Sequence, residues 1–176
     1  MYFNLRHLRY FHFRIKKYRD SGEYEKEREQ ILNSTTTWGR GIMKKYKISL
    51  NVTGLENIPE GPVLFVSNHQ GYADIPVYCA VITMKQIGFV AKVSLGKIPV
   101  FGTWIKDVRS VFIERDDARS SLKTMEEGIE LLKKGFSLII YPEGRRSRGP
   151  QMAEFKKGSL RLATKSGVPI VPVTLN

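Results

Sequence analysis

The feature that most limits the fold is an alternation of short apolar runs with helix-like segments from residue 48 to the end of the sequence. The apolar runs are short, rich in β-branched residues and closed by polar or turn residues, as buried strands are. They lie at residues 48–52, 63–66, 88–91, 111–113, 137–141 and 170–175. Helices are predicted at residues 75–83, 116–134 and 157–166. Gly135 and Gly167 follow the last two and suit a left-handed helix end. The alternation predicts an α/β fold with a largely parallel sheet flanked by helices.

A histidine and an aspartate five residues apart occupy the turn that follows the strand predicted at residues 63–66. Asp74 begins the next predicted helix, and Pro76 is tolerated in its first turn, where N–H groups lack helical partners. The turn can bring Asp74 back toward His69. The carboxylate would then fix the tautomer of the imidazole and leave the other ring nitrogen free as a general base. Taken alone, the pair fits a plain helix cap beside a loop histidine equally well, because such spacing occurs by chance.

Three later stretches add motifs in a fixed order. They read Val-Phe-Ile-Glu-Arg at residues 111–115, Tyr-Pro-Glu-Gly-Arg-Arg-Ser at residues 141–147 and Val-Pro-Ile-Val-Pro-Val at residues 168–173. Together with Asn68, His69 and Asp74, they resemble the four motif blocks of the glycerolipid acyltransferases. The likeness is greatest to the bacterial 1-acyl-glycerol-3-phosphate acyltransferases, and it covers roughly residues 50–175.

The resemblance implies an enzyme that moves a fatty acyl group from acyl-CoA or acyl-carrier protein to the free hydroxyl of 1-acyl-glycerol-3-phosphate (lysophosphatidic acid). The product is phosphatidic acid, made in phospholipid synthesis. No metal or prosthetic group is implied, because the thioester is a co-substrate. The chain contains no Gly-x-Ser-x-Gly elbow, so nothing supports a covalent acyl-enzyme. Tyr141 and Arg145 stand where the family usually has Phe and Thr, which leaves glycerol-3-phosphate or another lysophospholipid open as the acceptor.

The resemblance also assigns roles within the site. His69 would take the proton from the acceptor hydroxyl, and Asp74 would orient His69. The residues expected to bind substrate are Asn68, Lys92, Arg115, Glu143, Gly144, Arg145 and Arg146. Among these, Glu143 would position the glycerol, and Gly144 would let the backbone approach a ligand closely.

The arginines are the expected phosphate ligands. Arg115 and Arg146, with Lys92 as a further candidate, would hold the acceptor phosphate, because an arginine fork matches a phosphate bidentately. Taken singly, each arginine also fits a surface salt bridge with Glu114 or Glu154. The neighbouring motif blocks favour the phosphate.

The charge balance indicates an anionic partner. The 176 residues contain 29 Lys and Arg against 17 Asp and Glu, a formal net charge of +12. Such an excess attracts nucleic acid or an acidic lipid surface. A basic binding module without catalysis is thus an alternative, but it leaves His69, Asp74 and Glu143 unexplained, and we expect no nucleic acid.

Cys79 is the only cysteine, which excludes an intrachain disulfide and fits a reducing, cytoplasmic setting.

The first 47 residues are predicted to form a membrane-associating helical hairpin ahead of an acyltransferase domain at residues 48–176. On a helix over residues 1–19, apolar and basic side chains sort to opposite sides. The apolar side comprises Leu5, Leu8, Phe11, Ile15 and Tyr18, and the basic side comprises mainly Arg6, Arg9, Arg14, Lys16 and Lys17. This pattern is typical of a helix in a membrane interface, although a core-packed or merely solvated helix has it too.

No apolar run reaches about 18 residues, so we expect a monotopic protein on the cytoplasmic face of the cell membrane.

Two stretches fall outside the regular elements. Residues 93–108 mix apolar side chains with Gly and Pro and predict an irregular loop, which suits an acyl-chain groove or a membrane contact as well as plain packing. The chain stops at Asn176, directly after the fourth motif block, whereas members of the resembled family usually continue. We therefore expect the acyltransferase domain to be incomplete at its C-terminus.

Overall fold

A computed structural model describes residues 5–114, 117–147, 151–156 and 158–176. Their helices are α1 (Leu5–Asp20), α2 (Tyr24–Tyr46), α3 (Asp74–Val81), α4 (Phe101–Asp107), α5 (Ala118–Lys133) and α6 (Arg161–Ser166). The strands are β1 (Leu64–Ser67), β2 (Ile87–Lys92), β3 (Val111–Ile113), β4 (Ser137–Ile140) and β5 (Ile170–Val173). Short 3-10 helices span Leu55–Asn57 and Val93–Lys97.

The strands in the described part of the chain form one parallel sheet in the order β3-β2-β4-β1-β5. Neighbouring strands all run parallel, and Phe65 of β1 lies opposite Ile139 of β4 and Val171 of β5. The carboxyl ends of the strands therefore meet at one edge, which is where ligands usually bind in open α/β sheets. The α/β fold with a largely parallel sheet, predicted from the alternation, is confirmed.

The two faces of the sheet are covered by different helices, because successive strand residues point to opposite sides. Phe65 and Ile139 belong to a core shared with α1, α2, α3 and α4. Leu64 and Leu138 belong to a second core, shared with α5 and α6. With both faces covered, β1 and β4 are buried along their whole length.

The apolar side of α1 packs inside the protein. Leu8 and Ile15 are 5% and 0% exposed, and Phe11 is partly buried against the same core. Full burial of such a side chain contributes about 1.5–3 kcal/mol to folding. These residues thus follow the core-packed alternative, and the expectation that they contact lipid is wrong for them. The reason is that α1 packs against α2 and α4, while α2 packs against α3 and β2, so the apolar side of α1 faces other helices of the protein.

A buried ion cluster ties the two N-terminal helices to the rest of the fold. Glu27 of α2 is fully buried and accepts hydrogen bonds from Arg19 Nε at 2.8 Å and from Arg109 Nε and Nη2 at 2.7 and 2.8 Å. Arg19 also donates to the carbonyl of Asp107. A buried carboxylate of this kind requires paired cations. The hairpin is therefore joined to the turn between α4 and β3.

Two stretches differ from the sequence predictions. Residues 48–52 form no strand, and Ile48, Leu50 and Val52 stay 37–41% exposed. Alternating side chains make a strand only where a neighbouring edge supplies hydrogen bonds, and none of the described strands pairs with this stretch. Within residues 93–108, predicted to be irregular, α4 forms and buries Trp104 and Ile105, so packing explains much of this apolar content.

Candidate active site

The motif turns after β1 and β4 lie side by side, because these two strands are neighbours in the sheet. His69 follows β1 by two residues, and its Nδ1 lies 2.6 Å from Oδ2 of Asp74. The side chains of His69 and Asp74 are 18% and 6% exposed. The pair predicted from the sequence therefore meets at the carboxyl edge of the sheet, with the imidazole partly open to solvent.

Asp74 is turned back onto the loop that precedes its helix. Besides His69, it accepts hydrogen bonds from the backbone N–H groups of Gln70 at 2.8 Å and Gly71 at 3.0 Å. Because an ionised carboxylate only accepts, Nδ1 of His69 must carry the proton. In the neutral imidazole, Nε2 is then the acceptor nitrogen. The contacts of Asp74 orient the histidine turn and bring its carboxylate to the imidazole. The catalytic role of the pair stays a prediction.

Glu143 lies beneath the histidine turn and is 1% exposed. Its Oε1 accepts from the backbone N–H of His69 at 2.9 Å, and its Oε2 accepts from the backbone N–H of Ala153 at 2.8 Å. Both oxygens are thus taken by the main chain. In the structure, Glu143 therefore fixes the backbone of His69. The role predicted from the sequence, that Glu143 positions the glycerol, stays a prediction.

Ser147 binds the backbone carbonyl of His69. The N–H of Ser147 donates to the carbonyl of His69 at 2.9 Å, and its hydroxyl donates to that carbonyl at 3.3 Å. The turn at residues 141–147 therefore binds both the N–H and the C=O of His69. Gly144 enables this return, because its φ of 71° lies in the left-handed region that favours glycine. No role was predicted for Ser147 from the sequence. Its place as the last residue of the motif at residues 141–147 was the one feature that could have indicated a role.

Asn68 is bound to the main chain beyond β5. It is 8% exposed; its amide nitrogen donates to the carbonyl of Leu175, and its Oδ1 accepts from the N–H of Leu175, both at 2.8 Å. These paired bonds attach the histidine turn to the chain that follows β5. The contact gives Asn68 a structural role, and the substrate-binding role predicted from the sequence stays a prediction.

An aromatic ring covers the imidazole. Tyr141, the first residue after β4, stacks on His69 with ring centroids 4.1 Å apart and ring planes 19° from parallel. The Tyr141 hydroxyl is buried and has no hydrogen-bond partner among the described residues. Tyr78 of α3 contacts the Tyr141 ring by its edge, at 6.4 Å between centroids. No motif in the sequence indicated this stack.

The two phenols and the thiol behind His69, those of Tyr78, Tyr141 and Cys79, stay neutral. Burial raises the pKa of Tyr78 to about 12, although its hydrogen bond to Ser67 acts in the opposite direction. Burial also raises the pKa of Tyr141 well above its usual value and the pKa of the Cys79 thiol above its usual range. Neutral phenols and a protonated thiol neither accept a proton at pH 7 nor act as nucleophiles. None of these three groups therefore competes with His69 for the role of base that the sequence predicts for it.

The expected phosphate ligands differ in how well they are fixed. The Arg146 guanidinium lies 3.9 Å from the centroid of the Tyr72 ring, whereas Arg145 is exposed and has no ion-paired carboxylate among the described residues. Lys92 is exposed at the end of β2, two strands from β1 and so about 10 Å across the sheet. Arg115 lies outside the described residues. A guanidinium that stacks by its face on an aromatic ring can still bind an anion through its edge, as the predicted role of Arg146 requires.

Within the described ranges, no three His, Cys, Asp or Glu side chains come together as a metal site would require. No helix in the same ranges combines the length and apolar character that crossing a membrane requires.

Comparison with known proteins agrees with the fold and the motif turns. The family model described as Acyltransferase matches residues 49–176, and the chain belongs to the acyltransferase family. It is similar to the crystal structure of the 1-acyl-sn-glycerophosphate (LPA) acyltransferase PlsC from Thermotoga maritima. The TM-score is 0.73 and the identity 32%, over 96% of this chain and 72% of that one. The resemblance to the glycerolipid acyltransferases is thereby confirmed.

Curated relatives carry the same kind of name. A chloroplastic 1-acyl-sn-glycerol-3-phosphate acyltransferase of Arabidopsis thaliana is 40% identical over 132 residues, which are 74% of this chain and 36% of that protein. A 1-acyl-sn-glycerol-3-phosphate acyltransferase of Pseudomonas aeruginosa is 34% identical over 130 residues, which are 73% of this chain and 50% of that protein. The chain thus spans between a third and a half of the length of these two relatives.

Proposed function

We propose that this protein transfers a fatty acyl group from acyl-CoA or acyl-carrier protein to the free hydroxyl of 1-acyl-glycerol-3-phosphate, forming phosphatidic acid. The observation that carries the proposal is the 2.6 Å contact between His69 Nδ1 and Asp74 Oδ2. The turn that holds this pair is fixed, because Glu143 binds the backbone N–H of His69 and Ser147 binds its carbonyl. The names of the relatives, all 1-acyl-sn-glycerol-3-phosphate acyltransferases, support the choice of acceptor.

The chemistry follows from the free Nε2 of His69. Nε2 takes the proton of the acceptor hydroxyl while the hydroxyl oxygen attacks the thioester carbonyl. Collapse of the tetrahedral intermediate breaks the C–S bond, and the imidazolium returns its proton to the departing thiolate. Asp74 stabilises the imidazolium through the Nδ1–H bond. Because the hydroxyl attacks directly, no side chain carries the acyl group.

Acceptor recognition depends on the cations around the histidine turn. Arg146 is the best-oriented of them, because Tyr72 belongs to the same turn as His69 and holds the guanidinium by its face. A phosphate at the open edge of Arg146 would bring the glycerol hydroxyl toward Nε2. Arg145 and Lys92 would add charge, and Arg115 keeps its predicted role as a phosphate ligand.

A panel of acceptors tests the proposal. The protein is incubated with 1-acyl-glycerol-3-phosphate, glycerol-3-phosphate and lysophosphatidylcholine, each with acyl-CoA and with acyl-carrier protein, and the products are identified by mass spectrometry. We expect phosphatidic acid from 1-acyl-glycerol-3-phosphate as the main product. Preferred acylation of another acceptor would transfer the proposal to that substrate, and absence of any transfer would favour a non-catalytic basic module.

The same proposal includes a peripheral position on the cytoplasmic leaflet of the cell membrane. An acceptor with its acyl tail in the bilayer requires an active site at the membrane surface. Tyr10 and Phe13 remain 56% and 64% exposed on α1. Exposed basic residues surround them, namely Arg9, Arg14, Lys16 and Lys17. Rings at head-group depth beside cations are typical of interfacial helices, and each cation near an anionic surface contributes about 1 kcal/mol.

Vesicle co-sedimentation tests this position. Replacing Tyr10 and Phe13 together with Ser should weaken binding to vesicles of phosphatidylglycerol and phosphatidylcholine, and high salt should weaken it further. Leu122→Ser is the control, because Leu122 is 49% exposed on α5 but lies outside the basic surface of α1. Equal binding by the double variant, the control and the unaltered protein would show that the membrane contact lies elsewhere.

A further inference from the structure

The contacts of His69 leave one motion of its side chain unrestrained by hydrogen bonds. Asp74 binds Nδ1, while Glu143 and Ser147 bind only the backbone. A single hydrogen bond at Nδ1 fixes one atom of the imidazole and lets the ring tilt about that contact. Tilting would move Nε2 away from the acceptor hydroxyl. Something must therefore hold the plane of the ring.

Tyr141 supplies a wall against the face of the imidazole. Val66 of β1 pairs with Ile140 of β4, so Tyr141 continues the strand beside the one that leads to His69. Its ring is 4.1 Å from the imidazole and 19° from parallel. Parallel stacking at this distance excludes water from one face and resists tilting. An aromatic face also stabilises the positive charge that an imidazole gains when it takes a proton.

We propose that Tyr141 is a positioning residue for the acyl transfer: its ring, and not its hydroxyl, holds His69 in the plane in which Nε2 meets the acceptor. This proposal rests on the proposed function of His69 as the base. The hydroxyl is excluded from the role because it is buried and makes no hydrogen bond among the described residues. Phenylalanine at this position would therefore hold the plane of the imidazole equally well, whereas an aliphatic residue would not.

Three variants separate the ring from the hydroxyl and from general stability. Tyr141→Phe keeps the ring, and Tyr141→Leu removes it. Phe136→Leu is the matched control, because Phe136 is a fully buried aromatic residue that precedes β4 and contacts Tyr24. The assay measures kcat and the KM of both the thioester and the acceptor. Thermal unfolding of each variant is recorded alongside.

We expect Tyr141→Leu to lower kcat about 3- to 30-fold with both KM values unchanged, because only transition-state alignment and charge stabilisation are lost. Tyr141→Phe should stay within about twofold of the unaltered protein on the same reasoning. Phe136→Leu should lower the melting temperature but not kcat. Equal kcat for Tyr141→Leu and the unaltered protein would overturn the proposal, as would a loss of kcat in Tyr141→Phe equal to that in Tyr141→Leu.

A measurement that needs no turnover accompanies the kinetics. The chain has 3 histidines, so selective ¹³C labelling gives few ring signals, and His69→Ala identifies those of His69. We expect the stacked ring to shift the His69 ring protons upfield in the unaltered protein and in Tyr141→Phe, and this shift to vanish in Tyr141→Leu. Ring signals that do not respond to Tyr141→Leu would overturn the stacking whatever the acceptor proves to be. An unaltered protein that is inactive on every acceptor would instead overturn the proposed function.

Discussion

Glu143→Gln distinguishes a residue that binds substrate from one that fixes the backbone of the base. In the structure, the two carboxylate oxygens accept from two different N–H groups, those of His69 and Ala153. A glutamine side chain keeps one oxygen and replaces the other with an NH₂ group. Whichever way the amide turns, one backbone N–H loses its acceptor and faces another donor.

The magnitude follows from the kind of bond that is lost. A buried hydrogen bond to a charged group contributes about 1.5–3 kcal/mol, and the remaining bond becomes a weaker neutral one, so the variant should lose about 2–4 kcal/mol of stability. For a chain of this size, that corresponds to a melting temperature lower by about 4–16 °C. Because the His69 backbone moves, kcat should fall about 10- to 100-fold while both KM values stay within about threefold.

Steady-state kinetics with thermal unfolding on the same preparation measures both effects. Glu27→Gln is the matched control, because Glu27 is an equally buried carboxylate whose partners, Arg19 and Arg109, lie away from the histidine turn. The control should be less stable but should keep its kcat. If Glu143→Gln instead raised the acceptor KM more than about tenfold and kept kcat, its carboxylate would contact the acceptor and the reasoning would be refuted.

Three further substitutions test other parts of the structure. Asp74→Asn should lower kcat by about 10²- to 10⁴-fold with little loss of fold, because the imidazolium loses its counter-charge; a variant within about threefold of normal would exclude the pair from catalysis. Arg146→Ala should raise the acceptor KM about 10- to 100-fold and leave the thioester KM unchanged, with poor rescue by lysine; a selective rise in the thioester KM would assign Arg146 to the donor. Ile15→Ala should cost about 2–5 kcal/mol in chemical denaturation while Phe13→Ala costs less than about 0.5, because only Ile15 is buried; equal costs would contradict the packing of α1.

The sheet was predictable from the sequence because burial dictates composition. Strands covered on both faces must be apolar throughout, and the runs at β1 and β4 are. The His69 to Asp74 turn was predictable because a strand leading into a helix places both residues on one short turn. The strand predicted at residues 48–52 does not form. Alternation of apolar and polar residues indicates which side chains share a face, but it does not indicate whether a neighbouring strand is available for pairing.

The roles of Asn68, Glu143 and Ser147 could not be predicted from residue types. Each binds a backbone group of a segment distant in sequence, and such partners are fixed only when the loops meet. A carboxylate or an amide in a motif predicts a substrate ligand, and only the structure shows that the side-chain oxygens of Glu143 and Asn68 accept from the main chain. The stack of Tyr141 on His69 likewise depends on β4 lying beside β1, an order that the sequence does not specify.

The amphipathic pattern of α1 had two meanings that the sequence could not separate. A helix that covers a protein core and a helix that lies on a membrane both sort apolar from basic residues. In the structure, Leu8 and Ile15 cover the core, whereas Tyr10 and Phe13 are exposed beside the basic residues. The surface proposed to contact lipid is therefore a different face from the one that periodicity marked.

The proposed function depends on His69 acting as the general base of a direct acyl transfer to 1-acyl-glycerol-3-phosphate. Its most direct test is the rate of phosphatidic acid formation by His69→Ala and by the unaltered protein, measured by mass spectrometry with saturating acyl-CoA. The loss of general-base catalysis predicts a rate lower by at least about 10²-fold, with an unchanged circular dichroism spectrum. A folded His69→Ala protein that forms phosphatidic acid at a near-normal rate would contradict the claim.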